Sequence, residues 1–205
     1  MNENGEQLFL TQTLGLSPEV LTKDVIEDRL ANNFELSKNR DKVSHLYFYG
    51  AGCGTDRMKL FLKGIFKDFF PNAKADVKED TYAAIFATTK VGHQGIVCIL
   101  GTGSNCSYYD GNQLFQKVTS LGYIPIENKE HPYAKGVIDK GFQQFINNYV
   151  MQFELATKVP INFVGSIAHY LRDELTSVLL RNDLIVGVIR QRPIEGLVDF
   201  HRANM

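Results

Sequence analysis

Five apolar residues, Ile96-Val97-Cys98-Ile99-Leu100, end abruptly in Gly101-Thr102-Gly103-Ser104-Asn105, and a strand-like run, Cys106-Ser107-Tyr108-Tyr109, follows at once. A short apolar run bounded by glycines reads as a buried strand. A glycine-rich turn between two such runs makes an antiparallel pair. A second turn, Asp110-Gly111-Asn112, returns the chain through Gln113 to Val118 as a third strand. The first turn also has chemical content. Its glycines let a ligand approach the backbone, successive N–H groups form an anion-binding concavity, and the Thr102 and Ser104 hydroxyls add donors for phosphate oxygens. It is neither a Walker loop, which needs Gly-Lys-Ser/Thr, nor a dinucleotide fingerprint. Both of those open a helix; here a strand follows. On spacing alone a plain hairpin turn remains the more ordinary reading, because Gly/Ser/Asn turns are common.

The chain before this meander alternates β and α. Asn4-Gly5 is a hairpin signal, followed by a strand-like run, Gln7 to Thr11. A helix is expected from about Thr22 to Phe34, then a strand, His45 to Tyr49, that runs into Gly50-Ala51-Gly52-Cys53-Gly54-Thr55. Met58, Phe61, Leu62, Ile65 and Phe69 repeat at helical spacing, and Pro71 closes that helix. Ala75 to Lys78 reads as a short strand, and Asp80 opens a helix over Thr81 to Thr89. The character changes at Gly92-His93-Gln94-Gly95, which places domains at 1–92 and 93–205. After the meander come a loop-like stretch, Leu121 to Pro125, and a long amphipathic helix carrying Ile138, Phe142, Phe145, Ile146 and Tyr149. A strand, Ile161 to Val164, ends at Gly165-Ser166, where a helix begins that buries Ile167, Leu171, Leu175 and Val178. A last strand, Leu184 to Ile189, precedes a short terminal helix, Pro193 to Leu197.

Three further stretches could carry chemistry. Asp80 sits at a strand-to-helix junction, where it suits an ordinary N-cap or a general base that takes a proton from an attacking hydroxyl. Gly165-Ser166 joins a strand to a helix, so Ser166 is either an N-cap or part of a helix N-terminus facing a nucleotide. The turn Gly50 to Gly54 lacks dinucleotide spacing and reads by default as a bare turn. The five histidines show no ligand spacing, and no residue is assigned to a metal.

Composition narrows the partners. With 44% hydrophobic and 22% charged residues over 205, the chain is globular, of one large or two small domains. A formal charge of −1 gives no footprint for nucleic acid or an anionic membrane. No apolar run approaches a membrane span, and the start is no signal peptide. Three scattered cysteines make neither a disulfide framework nor a CxxC site, so a reduced, cytoplasmic protein is the default.

Taken together, these stretches resemble the BadF/BadG/BcrA/BcrD-type ATPase family, and within it the N-acetylglucosamine kinase-like proteins. The matching residues are Tyr49 to Cys53, Glu79 to Ala84, Gly95 to Cys106, Ser120 to Tyr123, Phe163 to Ala168 and Pro193 to Val198, in family order over nearly the whole chain. The resemblance implies an α/β protein of two ribonuclease-H-like (actin-like ATPase) domains with a central cleft where ATP and sugar meet. It implies that Asp80 is the catalytic base and that Gly101, Thr102, Gly103 and Ser104 form the second phosphate loop. Gly165 and Ser166 fall in the adenosine motif. Asn105, Gly122, Tyr123 and Gly52 lie at the sugar. The cofactors implied are ATP and Mg2+, the partner a small amino sugar, and a homodimer is an admissible assembly.

Two family features are not found. Nothing like the Asp-Gly-Gly-Ser/Thr hairpin of the first phosphate loop precedes Asn4-Gly5. After Leu121-Gly122-Tyr123-Ile124-Pro125 the family's Gly-Asp-Glu-x-Ser-Gly segment is missing, and Ile126-Glu127-Asn128-Lys129 leads into a later helix. The expectation is that the sequence joins pieces of a longer parent, with a deletion product as the alternative. The parent is expected to phosphorylate an amino sugar, most plausibly N-acetylglucosamine, and the 205 residues alone to be inactive. Two other functions fit the same fold: the activator ATPase of a radical dehydratase, and a nucleotide- or sugar-binding sensor without catalysis.

Overall fold

A computed structural model describes the chain except residues 3, 91, 102, 118–120, 123–131 and 205. The chain divides into two compact units, Met1–Tyr82 and Ala83–Asn204. Thr102 and Tyr123, together with the junction near Pro125-Ile126, lie outside the described residues.

The first unit is built on two parallel strands, β1 (His45–Gly50) and β2 (Lys74–Glu79), paired from His45↔Lys74 to Gly50↔Glu79. Between them runs α3 (Asp56–Phe69), whose N-terminus is capped by the Thr55 side chain accepting from the Met58 N–H at 3.3 Å. Leu62, Ile65, Phe66 and Phe69, spaced three and four apart, bury its inner face. They share a core with Ile26 and Leu30 of α1 (Lys23–Ala31), Cys53 and Val77. Burying a side chain such as Leu62 or Phe66 contributes roughly 1.5–3 kcal/mol. The helix expected over Thr22–Phe34 breaks at Asn32-Asn33 and restarts as α2 (Phe34–Asn39). Asn33 causes the break. Its side-chain oxygen caps Leu36 N–H, while its amide donates to the Gln12 carbonyl and the Thr11 hydroxyl. Those bonds tie the segment before α1 to the start of α2. Gln7 to Thr11, expected as a strand, has no ladder, although Gly5 (φ 75°) does form a turn closed by Asn2.

The second unit is a six-stranded sheet of order β5-β4-β3-β7-β8, with β6 beside β4. Its strands are β3 (Gly95–Leu100), β4 (Gly103–Tyr109), β5 (Leu114–Gln116), β6 (Leu121–Gly122), β7 (Pro160–Val164) and β8 (Ile185–Arg190). β3, β4 and β5 form the expected antiparallel meander, while β7 and β8 run parallel to β3. The turn into β5 is fixed by Asp110, whose Oδ1 accepts from the Asn112 and Gln113 N–H groups. Leu121-Gly122, read as loop, is a short strand because it pairs Gly103 and Ser104.

One face of this sheet, carrying Ile96, Cys98, Leu100, Cys106, Ile161 and Phe163, is covered by α5 (Pro132–Phe145) and α7 (Arg172–Arg181). α5 passes into a π-helical turn, Ile146–Val150, instead of continuing as α-helix to Tyr149. The helix expected from Ser166 is two pieces, α6 (Ser166–Tyr170) and α7, divided at Leu171. On the other face, Val97, Tyr109 and Val164 pack with Ala84 and Ile85 of α4 (Asp80–Thr88). That packing draws α4 into the second core, so the division of the chain falls within this helix and not at Gly92-His93. α8 (Ile194–Ala203), longer than expected, crosses α4 so closely that a Cβ on Gly196 would stand 2.3 Å from the Ala87 carbonyl oxygen. Buried Asn162 accepts from Val188 N–H at 2.8 Å, replacing a ladder bond where the β7–β8 register shifts.

Candidate functional site

Parallel strands deliver ligand-binding loops at their carboxyl ends, and in the second unit two glycine turns meet there. The turn between β3 and β4 is closed by the Gly101 N–H donating to the Gly103 carbonyl at 2.9 Å. That amide is spent on the turn and does not serve a ligand. Gly103, Ser104 and Asn105 are not loop, as expected, but the first residues of β4, because Ser104 and Asn105 pair with β3 on one edge and Gly103 and Ser104 with β6 on the other. The pairing with β6 sets Gly122 directly beside Gly103. A Cβ on Gly101 would meet nothing within 4 Å. Gly101 therefore borders open space, the room that a ligand against the backbone needs.

Gly165 follows β7 in a conformation closed to side chains (φ 128°). A Cβ there would stand 2.2 Å from the Leu100 carbonyl oxygen and 3.3 Å from the Gly101 nitrogen. Only glycine fits, and its presence lets the two turns touch. The Gly165 N–H donates to the Arg190 carbonyl at 2.9 Å, which pins the turn to the end of β8. Gly165 itself is the N-cap of α6; Ser166 is the first helical residue, exposed, and makes no side-chain cap. Asn105 accepts from the Ser107 hydroxyl at 2.9 Å. The register Asn105–Ile99–Val164–Arg190 makes one row across four strands at this end of the sheet. Arg190 was not singled out from the sequence. Its Nε is buried with no hydrogen-bond partner, a signal that only coordinates carry.

The first unit has a site of a different kind, made of side chains. Asp80 is exposed at the start of α4, with Thr81 buried behind it. Glu79, at the end of β2, points toward the Gly50–Gly54 turn, its carboxylate 3.9 Å from where a Gly54 Cβ would be. Burial raises the Glu79 carboxyl above its ordinary value, as do the charges of Asp80 and Glu19; Lys59 opposes them. The Cys53 thiol is fully buried and pushed up to about 11, by burial first and by Asp80 and Glu79 next, so it is an inert core residue. Gly52 (φ 79°) is needed because a Cβ there would lie 2.7 Å from the Ser17 hydroxyl. Beside it opens a pocket of about 320 Å3 between Thr13–Ser17 and Phe48–Ala51. Neither the pocket wall at Thr13–Ser17 nor Glu79 was among the residues expected from the sequence. A short segment with no periodicity gives no signal of where it will lie.

The sequence candidates thus form two groups, each within its own unit: Asp80 and Gly52 in the first; Gly101, Gly103, Ser104, Asn105, Gly122, Gly165 and Ser166 in the second. All three cysteines are buried, which leaves no exposed thiol for a cluster at a subunit interface. Among the described residues, no group of His, Cys, Asp and Glu is arranged to hold a metal ion, and no helix is long and apolar enough to cross a membrane.

No protein-family model matches the chain, and no curated protein matches it by sequence. Solved structures do. A Porphyromonas gingivalis protein, whose assignment as an N-acetylglucosamine kinase is itself provisional, superposes with a TM-score of 0.89 at 23% identity, over 100% of this chain and 94% of that one. Two more distant likenesses are the inorganic polyphosphate/ATP-glucomannokinase of an Arthrobacter strain (TM-score 0.47, 16% identity, 98% and 91% covered) and the ethanolamine utilization protein EutJ of Carboxydothermus hydrogenoformans (0.44, 16%, 87% and 73%). The first of these likenesses shows the fold: a mixed α/β chain with the architecture of the Porphyromonas gingivalis protein.

Proposed function

We propose that this protein is an ATP-dependent kinase of the BadF/BadG type, transferring the γ-phosphate of ATP to a hydroxyl of an amino sugar, N-acetylglucosamine first among them. The observation that carries this reading is the contact between two glycine turns at the carboxyl ends of β3 and β7, with open space over Gly101. A strand–turn–strand cradle touching a strand–turn–helix corner suits a polyphosphate with a nucleoside at its end. The fold likeness to a kinase-assigned protein supports it.

In this reading phosphate sits over Gly101, whose bare backbone leaves it room, against Thr102, Gly103 and Ser104, and Gly165 and Ser166 border the adenosine. Asp80, an exposed carboxylate in the first turn of α4, takes the proton of the attacking hydroxyl. Asn105, Gly122, Tyr123 and Gly52 contact the sugar. Mg2+–ATP would supply the transferable phosphoryl group, with Gly101 to Ser104 the residues that would hold its phosphates. The chain's own contribution is positioning: glycine backbones that a phosphate can approach closely, and an exposed carboxylate to act as base. A cytoplasmic setting accords with three reduced cysteines.

A coupled assay of ADP release by this protein against a panel of amino sugars tests this. The reading expects ADP release stimulated by one of them, with a sugar phosphate formed in equal amount. Asp80→Asn should abolish turnover while ATP still binds. ATP binding without any sugar-dependent turnover would favour a sensor and overturn the kinase.

A further inference from the structure

Cys98 of β3 and Cys106 of β4 stand directly opposite each other, with their Sγ atoms 3.3 Å apart. The Gly101–Gly103 bond makes that pair a hydrogen-bonded one. Antiparallel ladders alternate, so Cys98/Cys106 falls on a non-hydrogen-bonded pair, where side chains approach most closely and Cα atoms are about 4.5 Å apart. A disulfide needs Cα atoms about 4.4–6.8 Å apart and sulfurs at about 2.05 Å. The backbone spacing is thus already suitable, and the sulfurs need close by only about 1 Å. Both thiols are buried in the core under α5 and α7, and the proposed phosphoryl transfer uses neither.

We propose that Cys98 and Cys106 are an oxidative modification site, at which a peroxide converts the thiol pair into a cross-strand disulfide that clamps the stem of the Gly101–Gly103 turn. One sulfur attacks the peroxide; an S–O bond forms, the O–O bond breaks, one oxygen stays on sulfur as a sulfenic acid, and the other leaves with the thiol proton as water. The second sulfur attacks the resulting sulfenic acid; the S–S bond forms, the S–O bond breaks and a second water departs. The two sulfurs lose two electrons, the peroxide oxygens gain them, and the thiol protons end in the waters. Burial and the neighbouring sulfur hold the Cys98 thiol well above its ordinary value. Thiolate is scarce in the closed hairpin, so the rate follows local opening of the turn.

The test needs no kinase activity. The folded protein is treated with hydrogen peroxide, quenched, denatured, and its thiols are counted and mapped by peptide mass. Of the three thiols, two should be lost. A peptide linking Cys98 to Cys106, about 2 Da lighter than its reduced parts, should appear and be reversed by dithiothreitol. In Cys53→Ser both remaining thiols should be lost together. Three thiols surviving, a linkage through Cys53, or oxidation to sulfinic acid without the 98–106 link would overturn the proposal.

Discussion

The two units offer sites made of different material. At the end of the sheet in Ala83–Asn204 the groups are backbone: a closed turn at Gly101–Gly103, a glycine corner at Gly165, and a carbonyl of Arg190 holding that corner. At the end of β2 in Met1–Tyr82 they are side chains: Asp80, Glu79, Lys59 and the pocket beside Gly52. Where a backbone site is packed, as at Gly165, substitution should break packing before chemistry. A side-chain site can lose its chemistry while the fold stands.

The sharpest break in that contrast is Asp80→Asn. It removes an exposed carboxylate without creating a cavity, so turnover should fall by about 10^2–10^4, or about 3–5 kcal/mol of transition-state stabilisation, with unfolding unchanged. Steady-state kinetics beside a urea melt checks both halves. Next is Gly165→Ala, where positive φ and a 2.2 Å clash with the Leu100 carbonyl coincide. It should destabilise the second unit by about 3 kcal/mol, read as a lower urea midpoint, because strain and overpacking each cost about 1–3.

Much of this was legible beforehand, for physical reasons that differ by element. The meander was readable because Ile96–Leu100 and Cys106–Tyr109 are apolar runs on either side of glycine, a local signal. α3 was readable from its 3–4 periodicity and its stop at Pro71. The break at Asn32-Asn33 was not, since it depends on Asn33 finding Thr11 and Gln12 far back in the chain. Neither was β6, two residues that are strand only because Gly103 and Ser104 receive them. In the site, Gly165 and Gly101 look alike in sequence. Only the coordinates separate the one that must be glycine from the one that borders empty space. Arg190 and Glu79 were missed because a charge at a strand end has no periodic signature.

That separation gives a finer prediction. Gly101→Ala should leave stability within about 0.5 kcal/mol of the parent, for want of any clash, yet weaken ATP binding about tenfold by filling the space over the turn. Titration calorimetry with Mg2+–ATP reads the second effect. The smallest effect concerns Glu79. Its carboxyl is raised from 4.5, so its ionised form is disfavoured in the folded state, and stability is lost as pH rises through the raised value. Glu79→Gln should then exceed the parent by a few tenths of a kcal/mol at neutral pH, a modest gain because the group is only half-buried. The two should coincide below the ordinary carboxylate range, as pH-dependent melts would show.

Sugar-dependent ADP release by the parent chain and its Asp80→Asn variant, measured side by side with Mg2+–ATP and N-acetylglucosamine, bears most directly on the central claim. The account predicts release in the parent, its loss in the variant, and equal ATP affinity in both. Equal sugar-dependent turnover in the two proteins, or none in the parent with any amino sugar, would contradict it.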